Sequence, residues 1–366
     1  MSAVDEQSGP TGTGAVAARP PSSRIPTKTI VNTVVVVVGM LFLFFVLPTL
    51  TSNYWLQICT QVVVYSVVAL GLALLVGRVG MVSLGQIALL ALGGWVALRI
   101  GFATGLPFPL LMLAAGVMTG LFGVIIGLPA LRLGGLYLAL ITLMAAAAIS
   151  IVLQQTNFPN GGSGFLGYSI TGSGTAALRR PDIAQQTESF FRYTLIVGGL
   201  MFLLAWLHVR GKPGRAWAAI RQSQPAALAG GVNITLYKLW AFALAAFMTG
   251  VMGCILAASG GGLTILQFPT QESISLLAAV FIGGVYGFSG AIVAGVFTKL
   301  VPALLDNWNL PPDLLLILFG VGVLQVLLTA PQGLAVQFPK DMAKLGRLIA
   351  RPFTRGSKAK AEEAAR

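Results

Sequence analysis

The stretch "IVNTVVVVVGMLFLFFVLPTL" (Ile30–Leu50) contains no charged residue. A run of this length can cross a hydrocarbon core about 30 Å thick as an α-helix. It is too long for the apolar part of a cleaved signal sequence, and no small-residue cleavage site follows it. We therefore predict that it remains in the protein as a membrane anchor.

The rest of the chain has the same apolar character. Of its 366 residues, 56% are hydrophobic and only 9% are charged, whereas about a quarter of the residues in a soluble domain are charged. Its apolar runs predict an all-α polytopic membrane protein with about 8 to 10 transmembrane helices. The predicted spans are 30–50, 55–77, 84–104, 110–130, 135–155, 191–209, 239–258 and 313–330, with a long broken region at 273–305.

Composition divides the chain into three regions. Residues 1–28 are rich in Gly, Pro, Ser and Thr and have no apolar run, which predicts a disordered tail. We predict that residues 29–335 form one transmembrane domain in the lipid bilayer. Residues 336–366 form a basic tail.

The net charge of +13 lies mainly in the two tails and in short loops beside spans. That placement is typical of membrane topology and does not indicate nucleic-acid binding. The basic loop, defined here as residues 210–238, has no acidic residue, so we predict that it is cytoplasmic. The 156–190 loop then lies outside, and both termini are expected in the cytoplasm. The basic residues of the loop are Arg210, Lys212, Arg215, Arg221 and Lys238.

Nine simple spans would place the basic C-terminal tail outside. Both termini can be cytoplasmic only if one segment enters and leaves the membrane on the same side or crosses it twice. The stretch "FIGGVYGFSG" (Phe281–Gly290) has four glycines, and each weakens a helix by about 1 kcal/mol relative to Ala. Broken helices occur at membrane depth only where protein or a water-filled cavity borders them. We predict a helix hairpin or re-entrant turn with its break at Gly283, Gly284, Gly287 and Gly290.

Small residues elsewhere in the spans are expected to serve packing. Gly116 with Gly120 and Gly123 with Gly127 have the four-residue spacing of closely packed membrane helices. Cys59 and Cys254 lie in apolar segments with no His or Cys at metal spacing. We therefore expect no metal site.

The chain lacks the two features by which membrane transporters most often couple to an energy source. The interiors of the predicted spans contain no Asp or Glu, since Glu272, Asp306 and Asp313 lie at predicted edges. Proton-driven carriers use buried ionisable groups. The chain also lacks a G-x-x-x-x-G-K-S/T loop for nucleotide phosphates. We expect no cofactor here, and active transport would need an ATPase on another polypeptide.

Such an ATPase must push on a cytoplasmic element, and "GRAWAAIRQSQPAALAGGVN" (Gly214–Asn233) is the candidate. Its helix-forming residues are interrupted at Pro225, which can also begin a second short helix. Gly230 and Gly231 then stop that helix. The pattern predicts a bent element of two short helices. The alternative is an ordinary amphipathic connector.

This stretch resembles the cytoplasmic EAA-type loop of LivM-type permeases, which import branched-chain amino acids through ATP-binding-cassette (ABC) systems. Four more segments resemble the same family in the same order. They are "LVGRVGMVSLGQIALLALGGWVA" (Leu75–Ala97), "RLGGLYLALITL" (Arg132–Leu143), "AVFIGGVYGFSGAIVAG" (Ala279–Gly295) and "LTAPQGLA" (Leu328–Ala335).

The resemblance implies the fold and partners of an ABC importer permease in the plasma membrane. The partners would be a sister permease subunit, two cytoplasmic ATPase subunits and an extracytoplasmic solute-binding protein. The family's acidic and aliphatic positions are occupied here by Gln222, Gln224, Pro225 and Leu228, so docking would rest on shape and basic residues. The residues implied in ATPase coupling are Arg215, Arg221, Pro225, Ala227 and Gly231.

A polar, glycine-flanked group between two spans is the candidate solute path: Ser83, Gly85 and Gln86. Gln86 has an equal alternative role, a hydrogen bond to a neighbouring helix. Tyr137 and Thr142 are weaker candidates, because their spacing separates them around a helix.

Three other functions share some of these features. Members of the same family also serve urea and short amides. A passive solute channel would likewise lack an ATP site. A membrane-embedded enzyme is disfavoured, because no paired carboxylates, His cluster or activated nucleophile occurs, and no catalytic residue is assigned.

Overall fold

The computed structural model describes residues 39–130, 135–155, 178–261, 263, 267–311, 313–329 and 337. All regular structure in these ranges is helical, which confirms the all-α prediction. The predicted tail at 1–28 lies outside the described residues, as does the basic tail at 336–366 except for residue 337. The predicted loop at 156–190 is described only from residue 178 onward.

The chain forms two compact units, Met1–Thr49 and Leu50–Arg366. In the first unit, a helix over 39–45 ends in a turn at Val46, and a new helix begins at Leu47. Pro48 explains this break, because proline has no N–H to continue the hydrogen-bond ladder and suits the first turn of a helix. The predicted continuous span at 30–50 is therefore interrupted where it is described.

The second unit contains twelve labelled helices in the residues that the structure describes. A π-helical turn at Leu74–Val79 continues α1, and another at Val296–Leu300 joins α10 to α11. The helices are α1 (Asn53–Ala73), α2 (Gln86–Thr104), α3 (Phe108–Ala130), α4 (Leu136–Gln155), α5 (Thr187–Arg210), α6 (Lys212–Gln222), α7 (Gln224–Ala229), α8 (Ile234–Gly260), α9 (Thr270–Gly283), α10 (Phe288–Gly295), α11 (Val301–Asn307) and α12 (Asp313–Thr329).

Five continuous helices among the described residues are long and apolar enough to cross a membrane. Shorter apolar helices cover Gln86–Gly101, Tyr137–Leu153 and Thr270–Gly283. The long helices are Asn53–Val79, Phe108–Leu128, Thr187–Arg210, Ile234–Gly260 and Phe288–Asn307. Two of them are central, since 83% of the apolar window of Ile234–Gly260 and 78% of that of Asn53–Val79 are buried. The other three keep broad apolar faces for lipid or a partner.

Helix α8 packs against α1, α2 and α3 through glycines. A Cβ atom at Gly116 of α3 would lie 2.7 Å from Val251 and 2.8 Å from Phe247. Gly120, Gly123 and Gly127 face α8 in the same way. These contacts confirm the packing interpretation of the spaced glycine pairs. Cys254 is buried and Cys59 half-buried, and both are free thiols.

The glycine hairpin, defined here as Thr270–Asn307, has its turn where the sequence predicts a break. Helix α9 ends at Gly283, Gly284 has φ 110°, and Gly287 directly precedes α10. The prediction of a helix break is wrong for Gly290, because this residue lies inside α10. It is needed for close approach, since a Cβ atom there would clash with the Gly284 carbonyl group.

An ion pair joins the two arms of this hairpin. Lys299 Nζ lies 2.6 Å from Glu272 Oε1 and 4.1 Å from the centre of the Tyr65 ring on α1. Glu272 lies in the first turn of α9, so the predicted edge position is correct, but its partner was not foreseen. The pair shows that the two arms of the hairpin run antiparallel.

Candidate functional site

The basic loop contains the two predicted short helices, α6 and α7. Trp217 anchors α6, because its side chain is fully buried and its indole Nε1 donates a 2.8 Å hydrogen bond to the Tyr237 carbonyl oxygen on α8. Ala216 and Ile220 are buried on the same face. The opposite face of α6 is exposed and carries Lys212, Arg215, Ala218 and Gln222.

The bend between the helices lies at Ser223, not at Pro225. Ser223 has an extended backbone (φ −161°, ψ 114°), and its hydroxyl oxygen accepts a hydrogen bond from the Ala226 N–H. Serine is favoured at this position because it satisfies an N–H group that has no partner inside the helix. Pro225 sits in the first turn of α7, where its missing N–H has little cost.

The second helix stops as predicted. Gly230 is followed by Gly231 with φ 78°, a left-handed conformation that glycine adopts without a Cβ penalty. The Val232 N–H then donates to the Ala227 carbonyl oxygen at 3.0 Å. Asn233 begins α8, since its side-chain oxygen accepts from the Leu236 N–H at 3.1 Å.

The tip of the basic loop presents an apolar residue to its surroundings. The side chain of Leu228 is 60% exposed, whereas Ala227 beside it is buried. A groove of about 600 Å³ runs along this tip. Its lining includes Gln224, Leu228, Gly231, Val232, Asn233 and Lys238.

The two predicted coupling arginines have different surroundings. Arg215 is exposed on α6. Arg221 bonds within the chain: its guanidinium group donates to the Gly77 carbonyl oxygen and, at 2.6 Å, to the Tyr286 hydroxyl group. Arg215 is thus presented outward, while Arg221 is held by the end of α1 and the hairpin turn.

The polar cluster, defined here as Ser83, Gln86, Thr142 and Thr249, contains three of the predicted path residues together with Thr249. All four side chains are buried. Gly85 precedes α2, and the Leu84 N–H donates to the Thr142 hydroxyl oxygen at 2.9 Å. The cluster therefore ties the start of α2 to α4 and α8.

Gln86 contacts a neighbouring helix, as its alternative role requires. The Thr249 hydroxyl oxygen lies 2.9 Å from the Gln86 side-chain oxygen and 2.8 Å from the Ala245 carbonyl oxygen. A hydroxyl group has only one hydrogen, which the Ala245 carbonyl can take. Turning the amide so that Gln86 Nε2 donates to Thr249 gives each of these two contacts its own donor, and we assign that orientation.

Tyr137 does not join the polar cluster. Its side chain is 70% exposed, while Thr142 on the same helix is fully buried. The separation matches the predicted helical spacing. Thr249 was missed because it lies 163 residues from Gln86, and no local pattern links two such positions.

A separate cavity of about 660 Å³ lies at the far end of α8 from the basic loop. Arg180 organises this region, because it donates to the carbonyl oxygens of Gln185 and Ser259 and to the Thr187 hydroxyl oxygen. Ser259 is near the C-terminus of α8, whereas the basic loop leads into its N-terminus. The cavity lining includes Leu98, Phe108, Leu111, Arg179, Asp182 and Tyr193.

Residues 54–327 match the family described as branched-chain amino acid transport system / permease component. The chain belongs to this family. The match includes the basic loop, the polar cluster and the glycine hairpin. It therefore identifies the chain as a multi-pass permease component.

Two curated relatives agree with the family match. Both are high-affinity branched-chain amino acid transport system permease proteins LivM. The one from Salmonella typhimurium is 28% identical over 305 residues, covering 78% of this chain and 71% of the relative. The one from Escherichia coli is 27% identical over 315 residues, covering 81% and 73%. No solved structure matches the chain.

Proposed function

We propose that this permease translocates branched-chain or similar hydrophobic amino acids as the membrane subunit of an ABC importer. The observation that carries the proposal is the match over 54–327 together with the two-helix basic loop inside it. The proposed partners are a sister permease subunit, two cytoplasmic ATPase subunits and an extracytoplasmic solute-binding protein. ATP is bound and hydrolysed on the partner chains.

The basic loop is the proposed contact with the ATPase. Its fixed side is anchored by Trp217, and its outward side offers the Arg215 guanidinium group and the exposed Leu228 side chain. The groove of about 600 Å³ beside α7 gives a protruding partner element a place to enter. The ATPase would therefore dock by fitting this groove and by pairing with the positive charge of Arg215.

Solute recognition is proposed at the polar cluster, where hydrogen-bonding groups lie within an apolar bundle. Ser83 and Gln86 lie beside the start of α2, next to Gly85. The cluster is closed in this structure, so solute passage requires α2 to separate from α4 or α8.

The proposed topology places both termini and the basic loop in the cytoplasm. Two observations support it: the basic loop and Arg180 lie at opposite ends of α8, and the glycine hairpin turns the chain back. A cysteine introduced at Ser357 should therefore be protected from an impermeant thiol reagent in intact cells. A matched cysteine at Ser173, in the predicted outer loop, should react. Reaction at Ser357 from outside would contradict the topology.

Reconstitution tests the energy source. The purified chain alone in liposomes should neither hydrolyse ATP nor concentrate radiolabelled leucine. The complex with its ATPases, sister subunit and binding protein should do both. Uphill uptake by the chain alone under a pH gradient would identify a secondary carrier. Downhill flux of leucine or urea through the chain alone would identify a channel.

A further inference from the structure

Arg221 connects the basic loop to two other parts of the permease. One guanidinium nitrogen donates to the Gly77 carbonyl oxygen, and another lies 2.6 Å from the Tyr286 hydroxyl oxygen. The guanidinium carbon also lies 4.6 Å from the centre of the Tyr286 ring. A single side chain thus links α6 to the end of α1 and to the turn of the glycine hairpin.

The end of α1 is shaped to receive these contacts. The π-helical turn Leu74–Val79 ends at Gly80, which has φ 81°. Such turns disturb the regular helix hydrogen bonds and frequently occur at functional sites. Gly77 lies within this turn, and a Cβ atom there would clash with the Val285 carbonyl group. The hairpin turn is therefore seated directly on the backbone of α1.

Tyr286 is held from a second direction. Arg78 donates a hydrogen bond of 3.2 Å to the Tyr286 carbonyl oxygen, while Arg221 holds the hydroxyl group. The Tyr286 side chain is 50% exposed. Water can replace hydrogen bonds at a half-exposed position, so these contacts can break and re-form during a transport cycle.

We infer that Arg221 and Tyr286 form the internal link that passes movement of the basic loop to the glycine hairpin. The inference rests on the proposed coupling function of that loop. The hairpin suits the receiving role, because its arms meet at glycines and its turn is shaped by Gly284 at φ 110°. Arg221 and Tyr286 are positioning residues, since their contacts lie within the chain.

The test uses the complete transporter in liposomes and measures leucine uptake and ATP hydrolysis together. Tyr286→Phe removes only the hydroxyl group and should lower the leucine taken up per ATP hydrolysed a few-fold. Arg221→Gln removes both contacts and should lower the leucine taken up per ATP hydrolysed about tenfold. The double variant should be no worse than Arg221→Gln, because both changes break one link. Tyr54→Phe is the matched control, since Tyr54 is also 50% exposed, and it should leave uptake unchanged.

Arg215→Gln separates this link from ATPase docking. It should reduce the amount of ATPase that co-purifies, whereas Arg221→Gln should not. Loss of the ATPase from Arg221→Gln, or wild-type coupling in both Arg221→Gln and Tyr286→Phe, would overturn the inference and leave the proposed function standing. A wild-type complex that takes up no leucine counts against the proposed function alone.

Hydrogen exchange on the purified full chain tests the link without any partner. Arg221→Gln should speed exchange of the backbone amides at 284–290 several-fold relative to wild type, because the hairpin turn loses its clamp. Gly77→Ala should do the same by pushing the turn away without changing a charge. Tyr54→Phe should leave these amides unchanged. Equal exchange in the wild type and both variants would contradict the inference.

Discussion

The basic loop and the polar cluster hold their polar groups in opposite ways. In the loop, the Ser223 hydroxyl group bonds the Ala226 N–H three residues away, and both residues are exposed. In the cluster, buried Gln86 meets buried Thr249 across the bundle. The bend of the loop therefore rests on a local contact that solvent can replace, whereas the cluster rests on a long-range contact that solvent cannot reach. Changes in the cluster should lower stability first, while changes in the loop should mainly impair transport.

The largest effect is expected where α8, the helix that carries Thr249, meets α2. A Cβ atom at Gly253 would lie 2.6 Å from the Gly94 backbone nitrogen and would clash with the Leu90 carbonyl group. Gly253→Ala should therefore destabilise the chain by about 3 kcal/mol, at the upper end of overpacking costs. Thermal unfolding of the purified chain, followed by size-exclusion chromatography, measures the loss.

Gly260→Ala is the control for that change. Gly260 ends the same helix and has open space around it, so alanine should be tolerated there. Equal unfolding temperatures for the two variants would show that the α2–α8 contact does not depend on glycine.

The next largest effect is expected inside the polar cluster. Thr249→Val keeps the side-chain shape but leaves the Gln86 amide without its partner, which should cost about 1–3 kcal/mol. Thr298→Val is the matched control, because the buried Thr298 hydroxyl group donates to the Ala294 carbonyl oxygen one turn earlier and, among the described residues, to no other helix. Unfolding temperatures should fall further for Thr249→Val than for Thr298→Val.

The double variant Gln86→Leu with Thr249→Val sharpens this test. It removes both polar partners, so part of the stability lost in Thr249→Val should return. If Thr249→Val and Thr298→Val are equally stable, the contact between α2 and α8 is only a packing contact.

A smaller change in stability, but a clear loss of transport, is expected at Gly231. Among the described residues, no atom outside its chain neighbours would lie within 4 Å of a Cβ atom there, so the cost of substitution comes from φ 78°. Gly231→Val should cost about 1–2 kcal/mol locally and displace α7 from its position. Uptake by the complete transporter should fall while the unfolding temperature changes little.

Gly231→Asn provides the matched variant, because asparagine tolerates the left-handed region. Gly231→Asn should retain most of the uptake that is lost in Gly231→Val. If both variants transport normally, the basic loop is only a connector.

The same contrast explains how far the sequence predicts the structure. The two-helix loop and its stop at Gly231 follow from local rules for helix propensity and for left-handed glycine. The bend lies at Ser223 and not at Pro225, because a serine can cap the next helix with its hydroxyl group, whereas proline is tolerated inside the first turn of that helix. Contacts such as Gln86 with Thr249 depend on which spans become neighbours, and apolar periodicity does not specify that order.

The smallest effect is expected at Tyr137, a predicted path residue that lies apart from the cluster. With 70% of its side chain exposed, Tyr137→Phe should change stability by less than about 0.5 kcal/mol. Uptake should also remain unchanged, because the polar cluster lies elsewhere on the bundle. Thr142→Val is the comparison within α4, since it removes the oxygen that accepts from the Leu84 N–H and should lower both stability and uptake. A loss of uptake in Tyr137→Phe without a loss of stability would move the solute path from the buried cluster to the exposed face of α4.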